Sequence, residues 1–133
     1  MRPRPWWWIA ALSCGLLLTH LSMLAAEDPA QVPKLNPYTG SAEAIQQGRT
    51  LYLQNGCSGC HGVGGGGGMG PPLLDDEWKF GSDDGILFQL IKGEVPQQTM
   101  PAAFGNVLKA EEIWKILAYV RSLYSGDAGK VNW

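Results

Sequence analysis

The stretch whose reading decides the fold is "NGCSGCHGVGGGGGMGPPL", residues 55–73. Cys57, Cys60 and His61 lie within five residues, a glycine run follows, and Pro71 and Pro72 close the segment. Strong ligand groups beside backbone almost bare of side chains admit two uses. Either Cys57, Cys60 and His61 hold a metal or a cofactor, or the glycines cradle a phosphate and the cysteines are incidental. The flanking sequence separates the two.

Upstream, Arg2 and Arg4 precede "WWWIAALSCGLLLTHLSMLAA", an apolar run that ends in small residues just before Glu27. A basic start, an apolar middle and a small-residue exit predict a secretory signal peptide over residues 1–26. Left uncleaved, a run of about 20 apolar residues is also long enough to serve as a membrane anchor. Cys14 and His20 belong to this segment, so the remainder holds Cys57, Cys60 and His61 as its only cysteines and histidine. It also loses Arg2 and Arg4, leaving eight basic residues against twelve acidic ones and a net charge near −4. Such a surface excludes nucleic acid as a partner. The expected location is the periplasm, where a cysteine pair is either oxidised to a disulfide or committed to another bond.

Residues 27–40, "EDPAQVPKLNPYTG", hold three prolines and no periodicity, and predict an extended arm. The domain proper is expected over 41–125, with a short tail over 126–133. Ser41 is a good N-cap for a first helix, with Glu43 in its first turn and Asn55-Gly56 as its stop. Ala44, Ile45, Gly48, Leu51 and Tyr52 share one face of that helix. Gly48 in mid-helix costs about 1 kcal/mol against alanine and points to close approach by another element. From Gly62 to Pro72 the chain suits neither helix nor strand. A second helix is predicted from about Asp83 to Lys92, capped by Ser82 and ended by Gly93. The last helix is marked by Ile113, Ile116, Leu117, Val120 and Tyr124, with Glu111 and Glu112 at its start and Gly126 after it. No strand and no internal repeat is evident. Helices this short bury little by themselves, so a large apolar ligand would add much to the core.

Zinc fits poorly, because a structural site needs four ligands and the remaining chain offers no further Cys or His. Thiol redox chemistry uses a Cys-x-x-Cys pair beside a βαβ pattern, which is missing, and leaves His61 without a role. A dinucleotide cradle places its glycines between a strand and a helix, whereas this run follows a helix and enters prolines. Cys-x-x-Cys-His is, however, the attachment sequence of c-type haem. The two thiols add across the vinyl groups, and the adjacent histidine reaches the iron from one face. The other face is then either vacant or taken by methionine. Met100, in "QQTMPAAFG", is the better placed, since Met69 lies only eight residues from His61 on the loop leaving the attachment site.

At "GRTLYLQNGCSGCHG", "GPPL", "TMPAAFG" and "EEIWKILAYVRSL", taken in that order, the sequence resembles the class I cytochrome c family over about residues 41–125. The resemblance implies a small all-α fold, with three or more short helices wrapped around one covalently bound haem. It implies thioethers at Cys57 and Cys60 and axial ligation by His61 and Met100. It places Gly48 and Tyr52 against Ile116 and Tyr119 of the last helix, and makes the Pro71 carbonyl the acceptor for the proton-bearing nitrogen of His61. The sequence departs from the family in "MPAAF", whose extra alanine bears on how Phe104 is seated. The glycine run would be either a close-approach surface for a partner or a flexible spacer.

What the resemblance implies is a monomeric single-electron carrier, not an enzyme, working between a dehydrogenase donor and an oxidase or other acceptor. The alternatives are a haem subunit of a membrane-bound oxidoreductase, and an open-site haem enzyme or sensor in which Met100 does not ligate. "NPYTGSAEAIQQGR" and "GGGGMGPPLLDDEWKFGSDDG" more narrowly resemble the periplasmic cytochromes serving quinoprotein (PQQ-dependent) alcohol or methanol dehydrogenases. Asp75, Asp76, Glu77, Asp83 and Asp84 form an acidic cluster that is either a solvated face or a docking surface.

Overall fold

The computed structural model describes residues 35–130, so the expected signal segment lies outside the described residues. Five helices follow one another without a strand among those residues: α1 (Ala42–Gln54), α2 (Cys57–His61), α3 (Asp84–Lys92), α4 (Phe104–Val107) and α5 (Ala110–Leu123). A turn of 3-10 helix follows at Ala128–Lys130.

Helix α1 begins where its cap residue predicts. The Ser41 hydroxyl accepts the Ala44 N–H at 3.3 Å, and Asn55 closes the other end. Its seat on α5 explains Gly48. A Cβ at that position would lie 1.9 Å from the Lys115 carbonyl oxygen and 3.1 Å from Tyr119 Cβ. Only glycine lets the two backbones come so close, and the packing gained offsets its poor helix propensity. One turn on, Tyr52 meets Tyr119 edge to face, with ring centroids 5.3 Å apart.

Helix α5 is the centre of the core. Ile113, Trp114 and every residue from Ile116 to Arg121 are buried, because α1 and α3 cover it from different sides. Glu112 returns to accept the Lys109 N–H at 2.8 Å, tying off the first turn. On α3, Phe88 stacks on Trp114 with centroids 4.5 Å apart.

Two sequence expectations change here. Asp83, not Ser82, occupies the N-cap of α3, and no side-chain capping bond is made. Ser82 is buried instead, and its carbonyl accepts from the Arg121 guanidinium. Arg121 also pairs with Asp84 at 2.6 Å, with both side chains nearly inaccessible. The acidic cluster is therefore not one solvated face, because a buried carboxylate must be paired and Asp84 has its cation in the core. The second oxygen of Asp84 accepts the Asn36 N–H at 2.8 Å, while Asn36 Nδ2 donates to the Trp114 carbonyl at 2.8 Å. At its described end the predicted arm is thus a turn docked on the domain through buried Asn36, with Thr39 and Ser41 N–H groups closing it.

Candidate functional site

A short helix was not expected at the cysteine motif, yet α2 spans all of it. Gly56, at φ 74°, reverses the chain out of α1, and Gly62, at φ 80°, ends α2 after five residues. Both angles lie in the left-handed region that glycine adopts without steric cost. One helical turn puts Cys57 and Cys60 three apart and His61 four from Cys57, so all three project to one side. Neither cysteine is in a disulfide; Cys57 is buried and Cys60 half-buried. Burial pushes the Cys57 thiol up from its ordinary value, with the neighbouring Cys60 adding to the rise. A redox-active pair needs the opposite shift.

His61 is held through Nδ1, which lies 2.9 Å from the Pro71 carbonyl oxygen. A carbonyl can only accept, so Nδ1 carries the proton and the lone pair resides on Nε2. The glycine run builds this contact. Gly67 N–H donates to the His61 carbonyl at 2.8 Å, Gly70 N–H to the Cys60 carbonyl at 2.9 Å, and Leu73 N–H to the Gly65 carbonyl at 2.7 Å. The loop folds back along α2 and delivers Pro71 to the imidazole. Gly70 is essential to the seat, because a Cβ there would stand 2.9–3.3 Å from three ring atoms of His61. A hydrogen-bonded loop of this kind is not a loose spacer.

Beyond these groups lies an apolar cavity of about 330 Å³. Cys57, His61, Pro71 and Met100 all line it, with Leu87 and Leu117 among its walls. Met69 does not line it and is 87% exposed. Trp78, a lining residue, has a buried indole N–H with no hydrogen-bond partner among the described residues. Among the described residues, no three of His, Cys, Asp and Glu gather to hold a bare metal ion.

These features fit a covalently held haem. They supply two thiols, an imidazole with Nε2 open, a thioether on the lining, apolar walls and a buried donor suited to a carboxylate. Gly70 and Trp78 were not legible as site residues in the sequence. A glycine just before Pro71-Pro72 was the one signal for the first, and an isolated tryptophan carries none for the second.

The sequence matches the family model described as cytochrome c oxidase, cbb3-type, subunit III, over residues 43–120. The FixP subunit of the cbb3-type cytochrome c oxidase of Sinorhizobium medicae is 31% identical over 80% of this chain and 37% of that protein. Cytochrome c-L of Methylorubrum extorquens is 31% identical over 74% of this chain and 49% of that protein. The crystal structure of cytochrome cL from the marine methylotrophic bacterium Methylophaga aminisulfidivorans superposes with a TM-score of 0.65 at 38% identity. That match covers 73% of this chain and 66% of the other. The chain spans less than half the length of these curated relatives.

Proposed function

The chain belongs to the c-type cytochrome family described as cytochrome c oxidase, cbb3-type, subunit III, and we propose that it takes single electrons from a periplasmic dehydrogenase. It is an electron-transfer protein of small all-α cytochrome c fold, with one covalent c-type haem at Cys57 and Cys60. When bound, the haem supplies a one-electron couple at its iron. The protein's residues set the surroundings. His61 and Met100 are the residues that would hold its iron. The observation that carries this reading is that an imidazole already committed through Nδ1 and a methionine sulfur residue line one apolar cavity, while Met69 stands outside it. With both residues bound, iron would be closed to substrate and dioxygen, and apolar walls around a methionine-histidine pair would favour the ferrous state. The buried Trp78 indole N–H is the proposed partner of a haem carboxylate.

Two experiments test the two levels of this reading. Met100→Ala is expected to keep haem covalently bound, to abolish the low-spin ferric spectrum and to lower the reduction potential. An unchanged spectrum and potential would remove Met100 as a ligand. For the donor, a quinoprotein alcohol dehydrogenase is favoured by the similarity to cytochromes cL, one of them from a methylotroph. Stopped-flow reduction of the ferric protein by that enzyme with its alcohol should outpace reduction of an unrelated cytochrome. The rate should fall as salt screens the exposed acids Glu77 and Asp83. Equal rates at every salt concentration would refute that donor.

A second reading is supported by the family description and the FixP match: a haem domain delivering electrons within a membrane oxidase assembly. Among the described residues no helix is long and apolar enough to cross a membrane. Co-purification of the native protein with oxidase subunits would favour this assignment.

A further inference from the structure

The segment between α3 and α4 carries Met100, and its two ends are fastened by close packing. A Cβ on Gly93, at φ 78°, would lie 2.3 Å from the Ala102 Cβ, and one on Gly105 would lie 2.2 Å from the Lys92 carbonyl oxygen. The backbone in the middle of the segment makes one turn bond, Gln98 N–H to the Val95 carbonyl at 3.3 Å, and Gln97 stands at φ 63° in the left-handed region that costs an L-residue energy. What spans the middle is the Gln98 side chain. Its Nε2 donates to the Leu90 carbonyl at 2.9 Å and to the Met100 carbonyl at 2.8 Å, while its Oε1 accepts the Val95 N–H at 3.0 Å. Two carbonyls on one side and an N–H on the other leave a single orientation for the amide.

We propose that Gln98 is the positioning residue for Met100, a side-chain staple from the last turn of α3 to the methionine's own carbonyl. The inference rests on the reading of Met100 as an iron ligand. Without the staple the strained middle of the segment opens more often, and each opening withdraws the sulfur from the cavity. An external ligand binds iron only in the open form, so its apparent affinity scales with the open fraction.

The test titrates the ferric holoprotein with imidazole in the native chain, Gln98→Leu, Met100→Ala and the double variant, following the Soret shift in all four and the far-red methionine-to-iron band in the two that keep Met100. Loss of these three hydrogen bonds predicts imidazole affinity higher by about ten- to a hundredfold in Gln98→Leu, with helical circular dichroism unchanged. In the Met100→Ala background the same substitution should change affinity by less than about twofold, because there is no sulfur left to release. Unchanged affinity in Gln98→Leu, or an equal gain in both backgrounds, overturns the proposal. A Met100→Ala protein that keeps the native band overturns the ligand assignment instead, and the two failures are thereby distinct. If Gln98→Leu yields no holoprotein, Gln98→Glu retains the acceptor and the volume, loses both donors, and carries the same comparison.

Discussion

The two segments that bring the proposed ligands, His61 and Met100, to the cavity are built on opposite plans. Around His61, backbone does the work. Gly56 and Gly62 bend the chain, a ladder of N–H groups folds the glycine run against α2, and Pro71 locks the imidazole at 2.9 Å. Around Met100, backbone is nearly silent between Gly93 and Gly105, and one glutamine side chain makes the connections. The difference teaches which side of the site yields first. Many small backbone contacts fail together, whereas a single side chain is one substitution from release, so the methionine side is the one expected to yield first.

The largest way to break the contrast is to remove what both sides enclose. Cys57→Ser combined with Cys60→Ser should yield a chain without covalent haem and largely unfolded, because α1, α3 and α5 are short and surround an apolar cavity of about 330 Å³. Far-ultraviolet circular dichroism with a thermal melt checks it, and a cooperative native-like transition in the apoprotein would contradict it.

A smaller change sharpens the histidine side alone. Gly70→Ala puts a methyl group 2.9–3.3 Å from the His61 ring, which must shift by a few tenths of an ångström and strain the bond to Pro71. Overpacking of this kind costs about 1–3 kcal/mol. A weakened Nδ1–H bond also makes the imidazole a poorer electron donor, so the reduction potential should rise, opposite in sign to Met100→Ala. Protein-film voltammetry on the two variants reads both signs, and a fall in both would deny the histidine side its separate role.

The smallest expected effect lies behind that side, at Tyr52, whose hydroxyl donates to the Gly62 carbonyl at 2.7 Å. Tyr52→Phe should cost about 1 kcal/mol at neutral pH. Burial above all, with the neighbouring Tyr119 adding to it, pushes the Tyr52 pKa from 10.0 up to about 12. In the unfolded chain the phenol ionises near 10, while in the folded protein it keeps its proton to about 12. Its contribution is therefore whole below pH 10 and drains away as pH rises through 12. Denaturant midpoints across pH 9–12 should fall more steeply in the native protein than in Tyr52→Phe; parallel slopes would contradict the assignment.

Much of this was legible in the chain itself. Ser41, Asn55, Gly93 and the Ile113–Val120 stripe mark their helix ends and faces through local chemistry: a cap hydroxyl, a left-handed glycine, a 3.6-residue repeat. CSGCH encodes its cofactor because the two-residue gap is set by the haem itself. The costly Gly48 correctly announced a close helix, although the backbone it admits is that of Lys115. Within "MPAAF", Ala102 packs directly over Gly93, a contact visible only in three dimensions, because a Cβ at 93 would lie 2.3 Å from its own.

What only the tertiary structure decided are the pairings between distant residues. Asp84 looked like one of five surface acids, but Arg121, 37 positions on, takes it into the core, and Asn36 docks on it from 48 positions before. Nothing in the sequence singled out Gln98 or Trp78. Sequence by itself determined helices α1, α3 and α5 and the attachment motif, and it favoured Met100 over Met69 as the proposed ligand, because those readings depend on spacing along the chain and on residue type. The burial of Asp84, the staple at Gln98 and the open indole of Trp78 depend on which carbonyl, carboxylate or cavity a side chain meets after folding. A polar side chain has the same local signature whether it meets water or a buried partner, so only the packed chain could distinguish the two.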